Sequence, residues 1–444
     1  MNVILIVVDA LRSDHLGINN YGRDTSPNMD KLAKEGIFFP NAIPSSPSTG
    51  PSIPSILTGL YPHSHGIRFL FTNRLNSNIT TLQEILQSHG YKTIGNDIEI
   101  RGMGIEKGFD EFNLLRWRIT HKIKRNIKKT LDWGYKVNPA ETLTDFAIKC
   151  IDKLKDKKFF LYMHYVGLHW PYTSPKPYDE MFDPNYKGKH TFNEVDGKIS
   201  RGDLIFNNNL PKEENKHAVA HYDGAIRFVD SEIGKLLEHI DKVNLADDTL
   251  IVLCGDHGEC FGEHKLYFNH GEYLYEEGLR VPLIIRDPKL SGIKVESQVQ
   301  LTDVMPTILE ILNIPLIENI DGLSLMPLIK EGKKIRKYTF AESVGSYFDQ
   351  NKRSYIKGIK GKWRMVRTNE WKLIYIPHPE KDIYELYNLK NDPGETKNLI
   401  GKEKEISKSL REELFKWMKE SKEEEDIDLT EKSKRLLRKL GYMD

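Results

Sequence analysis

Six aliphatic residues in a row, Val3 to Val8, close on Asp9 with no polar interruption. A strand with one face in water would alternate apolar and polar side chains. An unbroken run suits a central parallel strand covered on both faces. Lys158–Val166 (KFFLYMHYV) and Thr249–Cys254 have the same character. Between and after these runs lie stretches of helical period. Met29, Leu32 and Ala33 follow a helix start at Ser26-Pro27. Ile79–Ser88, Glu141–Lys155, His217–Ile240 and Leu301–Leu312 read the same way, and Tyr91–Gly95 and Val281–Ile285 read as further strands. Strands alternating with helices predict an α/β fold, a mostly parallel central sheet sandwiched by helices. From about Lys330 the pattern changes. Trp363–Val366 and Trp371–Ile376 flank Asn369-Glu370 as an antiparallel pair, before the turn-rich Asn391-Asp392-Pro393-Gly394. The expected layout is a catalytic α/β domain over 1–328, a small α+β C-terminal subdomain over 329–400, and a charged helical tail over 401–444.

The net charge of +1 gives no sign of a nucleic-acid partner. The three cysteines, Cys150, Cys254 and Cys260, have neither a disulfide framework nor zinc-finger spacing, which suits buried thiols in a reducing compartment. The first apolar run stops at Asp9, too short for a secretory signal, and no stretch reaches the roughly 18–20 apolar residues of a membrane span. The expectation is a cytoplasmic protein without a membrane span.

In open α/β sheets, ligands bind outside the carboxyl ends of the strands. Asp9 ends the first run, Gly167-Leu168-His169-Trp170-Pro171 follows the second, and Gly255-Asp256-His257 follows the third. One more stretch, PSSPSTGPSIPSILTG (44–59), has small turn-forming residues running into Ile53, Ile56 and Leu57 and a closing glycine: a loop feeding a helix. A hydroxyl at such a junction lies beside backbone N–H groups and the positive end of the helix dipole, where an anionic ester can be held and attacked. Thr49 is that hydroxyl; its structural alternative is a helix N-cap, as is that of Asp9. Two Asp, a His and a hydroxyl make a hard or borderline divalent site, able to activate the hydroxyl and to neutralise a substrate oxygen. His169 could donate a proton to the leaving alkoxide, or be a structural histidine.

The chain resembles the sulfatases of the alkaline phosphatase superfamily. DALRSDHLG, TSPNMDKLAKEGIFFPNA and PSILTGLYPHSHG are similar to their N-terminal half; GDHGECFGEH, LYEEGLRVPLII, LTDVMPTILEIL and ELYNLKNDPGETKNL are similar to their later motifs. The resemblance implies that fold, with Asp9, Thr49, Asp256 and His257 as ligands of one divalent ion (Mn, Ca, Mg or Zn), leaving open a second. It makes Gly50, His169 and His270 the substrate contacts, with His169 and His270 also candidates for catalysis. His221 and Asp223 are the candidates for a second metal, against a helix packing face; His264 and Arg280 are candidates for supporting contacts.

The departures from the family are specific. Sulfatases carry Cys or Ser followed by x-Pro-x-Arg and oxidise the first residue to formylglycine; here the stretch is Thr49-Gly50-Pro51-Ser52-Ile53. Thr carries a methyl on its β-carbon and cannot become that aldehyde. The second of the paired acids is Ala10, and 95–102 has neither the Lys nor the His of the sulfate-binding segment. A Thr nucleophile resembles instead the superfamily's phosphodiesterases, phosphonate hydrolases and phosphotransferases. The expected activity is therefore a metal-dependent hydrolase or transferase of small phosphate or phosphonate esters, through a covalent Thr49 intermediate. The alternatives are a sulfatase acting without formylglycine and a non-catalytic binding protein. Arg116–Pro139 and Asn185–Leu210 are expected to set specificity, with Lys187–Leu210 a loop or lid.

Overall fold

A computed structural model describes the chain except residues 70–72, 98–101, 114–139, 171, 173, 189–209, 345–360 and 421–444. In chain order the elements that matter for the site are β1 (Asn2–Val8), α1 (Pro27–Glu35), β2 (Ile37–Ile43), α2 (Thr49–Thr58), α3 (Leu82–Ser88), β3 (Lys92–Asn96), β4 (Glu111–Asn113), α4 (Ala140–Leu154), β5 (Phe159–Tyr165), α5 (Lys212–Lys242), β6 (Thr249–Gly255), β7 (Cys260–Phe261), β8 (Tyr267–Asn269), β9 (Val281–Arg286), β10 (Ile293–Lys294), β11 (Val299–Gln300) and α6 (Val304–Ile311). Among the described residues, the main sheet runs β10-β2-β9-β6-β1-β5-β3-β4, with β11 also on β2.

β1 is flanked in parallel by β5 and β6, with Val8 opposite both Tyr165 and Gly255. This register brings the residues after the three strands to one edge. It also explains the unbroken apolar run. Ile4, Ile6 and Val8 pack with α1, α4 and α5 on one face, and Val3, Leu5 and Val7 pack with α2 and α6 on the other.

The parallel sheet between helices is as expected, with one local difference. β9 is antiparallel to both β6 and β2. The sequence reading had no β2, because Pro40 interrupts it; Pro cannot donate to a ladder, and the pairing with β9 shifts register between Phe39 and Ala42.

The C-terminal region forms a second, antiparallel sheet of β12 (Thr339–Glu342), β13 (Arg364–Arg367), β14 (Trp371–Ile376) and β15 (Ile383–Asn388). β13 and β14 are the expected hairpin pair; β12 and β15 extend it on either side. The helix α7 (Lys404–Glu420) lies at the start of the region read as a charged helical tail. Leu410, Leu414 and Trp417 bury one stripe against Val366, Leu373 and Leu386, and the charges occupy the outer face. The rest of the tail, 421–444, lies outside the described residues, as do 116–139 and most of 185–210. Among the described residues no helix is long and apolar enough to cross a membrane.

Ion pairs buried in the seam between the two sheets fix the second against the first. Glu342 on β12 accepts from Arg68 Nε (2.7 Å), and Lys362 Nζ bonds Arg68 O and Val344 O. Burial alone would raise the Glu342 carboxyl, but Arg68 and Lys362 outweigh it and hold it down at about 2. The depressed carboxyl stabilises the fold above its unfolded value near 4.5, and that stability is lost as pH falls from 4.5 toward 2. Acid titration of the unfolding free energy should show a fall of about 3 kcal/mol over that range. Glu342→Gln should flatten it, and an unchanged acid limb would rule the pair out as its source.

Candidate active site

α2 begins where a loop of small residues gives way to Ile53, Ile56 and Leu57, and ends on Gly59 at φ 67°, a left-handed C-cap. Ser48 is the N-cap, so Thr49 is the first helical residue and not the cap. The first intrahelical bond here runs from Ser52 N to Ser48 O. The Gly50 N–H therefore lies ahead of the helical ladder, at the positive end of the dipole. Ser52 Oγ donates to Asp256 O (2.7 Å), pinning this helix start to the end of β6.

Four groups converge at that point, all buried: Asp9, Thr49, Asp256 and His257. His257 Nε2 is 3.1 Å from Thr49 Oγ1, 3.3 Å from Asp9 Oδ1 and 3.6 Å from Asp256 Oδ2. The other ring nitrogen, Nδ1, is 2.8 Å from Gly258 O, and a carbonyl can only accept. Nδ1 thus carries the proton, and in the neutral ring the Nε2 lone pair faces two carboxylates. Lone pairs so opposed call for a cation between them. Asp256 Oδ1 is held by the N–H groups of Ala10 (3.1 Å) and His257 (2.8 Å), which turns Oδ2 inward. Among the described residues Oδ2 has no hydrogen-bond partner. The ligand atoms of Asp9, Asp256 and His257 lie within 4.8 Å of one another, and among the described residues this is the cluster of three or more such groups that fits one metal ion. The donor set, two carboxylates and an imidazole beside a hydroxyl, suits a divalent cation.

Backbone geometry shapes the turn. Ala10, in the place of the missing second acid, has φ 57° and contributes its N–H instead of a carboxylate. At Gly258 a Cβ would sit 1.9 Å from Glu277 O, so only glycine lets the two segments meet.

The structure brings the two remaining expected histidines to the same place. The His270 ring lies 4.1 Å from that of His257 and 5.0 Å from that of His169, centroid to centroid. His169 Nδ1 donates to Trp170 O (2.7 Å). His264 and Arg280 stand further back: His264 bonds Glu277 and Glu395 O, and Arg280 O accepts from Ser13 N.

His221 and Asp223 do not meet, which corrects the expectation of a joint second metal site. Asp223 binds His15, Tyr21 and Arg23, whereas His221 faces His217. Residues two apart on a helix point to different sides.

Three neighbours escaped the sequence reading. Glu259 Oε1 lies 3.5 Å from His270 Nδ1, behind the ring. Asp97, at the end of β3, accepts from Tyr162 Oη (2.7 Å) and lies 3.0 Å from His164 Nδ1. Burial would lower the His164 pKa, but Asp97, with Asp256 and Asp9 further off, raises it to about 10. A histidine inside the otherwise apolar KFFLYMHYV strand was the available signal, since a buried imidazole needs a polar partner. A cavity of about 530 Å³, lined by Asn28, Arg227, Ile251 and Arg286, lies at the opposite end of β6 from this cluster and takes no part in it.

Residues 1–314 match the sulfatase family, and 262–423 match the C-terminal region of N-sulphoglucosamine sulphohydrolase. An arylsulfatase of Clostridium perfringens is 29% identical over 94% of each chain. An N-acetylglucosamine-6-O-sulfatase of Bacteroides thetaiotaomicron is 26% identical over 97% of this chain and 88% of its own. The crystal structure of a phosphonate monoester hydrolase of Agrobacterium radiobacter shares the fold, with a TM-score of 0.75 over 97% of this chain and 98% of that one, at 20% identity.

Proposed function

The chain belongs to the sulfatase family of ester-bond hydrolases, and on that premise we propose that it cleaves phosphate or phosphonate esters with Thr49 as the nucleophile. The observation that carries this reading is Thr49 Oγ1 at the start of α2, within 3.1 Å of His257 Nε2 and beside Asp9 and Asp256. Asp9, Asp256 and His257, with the Thr49 hydroxyl, would hold the divalent ion; Mn, Ca, Mg and Zn all accept this donor set. Such an ion supplies Lewis-acid neutralisation of charge on the substrate.

The chain's own groups do the rest. The Gly50 N–H and the α2 dipole favour an anionic oxygen next to the nucleophile. Thr49 Oγ1 bonds to phosphorus as the ester P–O bond breaks, its proton passing to solvent. His169 or His270 protonates the departing oxygen, and Glu259, 3.5 Å from His270 Nδ1, helps to orient that ring. Water or an acceptor alcohol then takes the phosphoryl group from Thr49.

A second reading, sulfuric ester hydrolysis, is supported by the named activities of the curated relatives. Against it stand two features of this chain. Oxidising the Thr49 side chain would give a ketone, not an aldehyde. Asp97 occupies the stretch where the family resemblance expects cationic sulfate-binding side chains.

One experiment separates the two. Chelator-treated protein should lose turnover and regain it with a divalent ion when given aryl phosphate, bis-aryl phosphate, aryl phosphonate and aryl sulfate in parallel. Metal-dependent turnover of a phosphorus ester well above that of the sulfate is the expected result. Turnover of sulfate alone would return the chain to the sulfatases in activity as well as in fold.

A further inference from the structure

His217-Ala-Val-Ala-His221 places two imidazoles four residues apart, on one face of α5. Both side chains are buried, and their Nε2 atoms face each other at 3.1 Å. Behind His217, Asp183 Oδ2 lies 2.9 Å from Nδ1. The carboxylate accepts a hydrogen bond from Nδ1–H and so leaves the His217 Nε2 lone pair directed toward His221. Tyr186 stacks on the outer face of the His217 ring, 3.5 Å between centroids, and fixes its plane.

We propose that His217 and His221 form a second metal site, for a borderline cation such as Zn²⁺, Ni²⁺ or Cu²⁺, with Asp183 orienting the first ligand from behind. Two nitrogens bound to one tetrahedral zinc at about 2.0–2.1 Å stand about 3.3 Å apart, close to the separation found here. A carboxylate on the far nitrogen of a ligating histidine is the usual support of such a ligand. Without metal, the same 3.1 Å spacing is a hydrogen bond from His221 Nε2–H to His217. The bound form needs only that His221 move its proton from Nε2 to Nδ1. Water can fill the remaining positions around a cation held by the two imidazoles.

This pair is separate from the Asp9 centre in chemistry and in place. The Asp9 centre is rich in oxygen donors, whereas this one is built on nitrogen, so different ions favour each. Tyr222, the next residue on α5, turns toward the strand ends, its hydroxyl donating to Ala10 O (2.6 Å). Asn215, two residues before His217, points to another side of α5, donating to Phe261 O in β7. A metal here would hold α5 against the segment carrying Asp183.

The test is Zn²⁺ stoichiometry on the full chain after chelator treatment, by equilibrium dialysis and elemental analysis. The parent protein should bind one equivalent more than His221→Ala and than the conservative His221→Gln, each checked for native circular dichroism. Asp256→Asn, which disables the other centre, should keep this equivalent. Asp183→Asn should weaken it by about 10–100-fold, a result that a merely structural hydrogen bond does not give. Equal zinc content in parent and His221 variants, or loss of all zinc in Asp256→Asn, would overturn the proposal. Neither outcome depends on which ester the enzyme cleaves.

Discussion

Thr49→Ala is expected to lower kcat on the preferred phosphorus ester by on the order of 10⁴-fold or more, the scale seen when a covalent nucleophile is removed. The fold should survive. The hydrogen bond lost from this side chain is that to His257, worth about 1 kcal/mol. Divalent-ion binding should persist, because Asp9, Asp256 and His257 remain. Steady-state rates on both proteins give the first readout. Rapid quenching followed by intact-mass measurement gives the second: the parent should carry a phosphoryl adduct and the variant none. A variant that keeps parental kcat would end the nucleophile assignment, and an adduct on another residue would say where to look instead.

Lys372→Met should cost about 3–5 kcal/mol of unfolding free energy, the usual penalty for stripping the partner from a buried charge. Lys372 is fully buried in β14, with Nζ 3.0 Å from Glu276 Oε1 and 2.7 Å from Glu395 Oε1. Glu276 would keep Arg367 as its counter-ion (3.0 Å). Among the described residues Glu395 has no second ion-pair partner. Burial already lifts its carboxyl to about 7 despite Lys372, with Glu276 and Glu277 adding to the rise. Without the lysine it should go higher and take up a proton on folding. The deficit should therefore be smaller at pH 5.5 than at pH 8, and Lys372→Met combined with Glu395→Gln should recover part of it. Urea unfolding at the two pH values measures both effects. A variant as stable as the parent would mean that the cluster is not what fastens the C-terminal sheet to the segment bearing Glu276.

Much of the architecture could be read from local pattern. The aliphatic run of β1, the stripes of α4 and α5 and the loop-to-helix start at Thr49 are signals carried within a dozen residues. β2 was hidden by Pro40. The buried stripe of α7, Leu410, Leu414 and Trp417, was hidden by the Lys and Glu around it. In both cases the deciding contact is with an element distant in the chain. The pairing of His221 with Asp223 failed for a reason that was local after all, because helical spacing separates residues two apart.

The sequence by itself determined which groups could do chemistry: Asp9 after a buried strand, Thr49 at a helix start, and Asp256-His257 after another strand. It also settled what Thr49 cannot become. Only the tertiary structure decided which of these groups meet. The register of β1 on β6 sets Asp9 beside Asp256, His270 comes back against His257 and Glu259, and Asp97 finds His164. These separations of a few ångströms are set by strand pairing between segments far apart in the chain, and no local periodicity encodes that register.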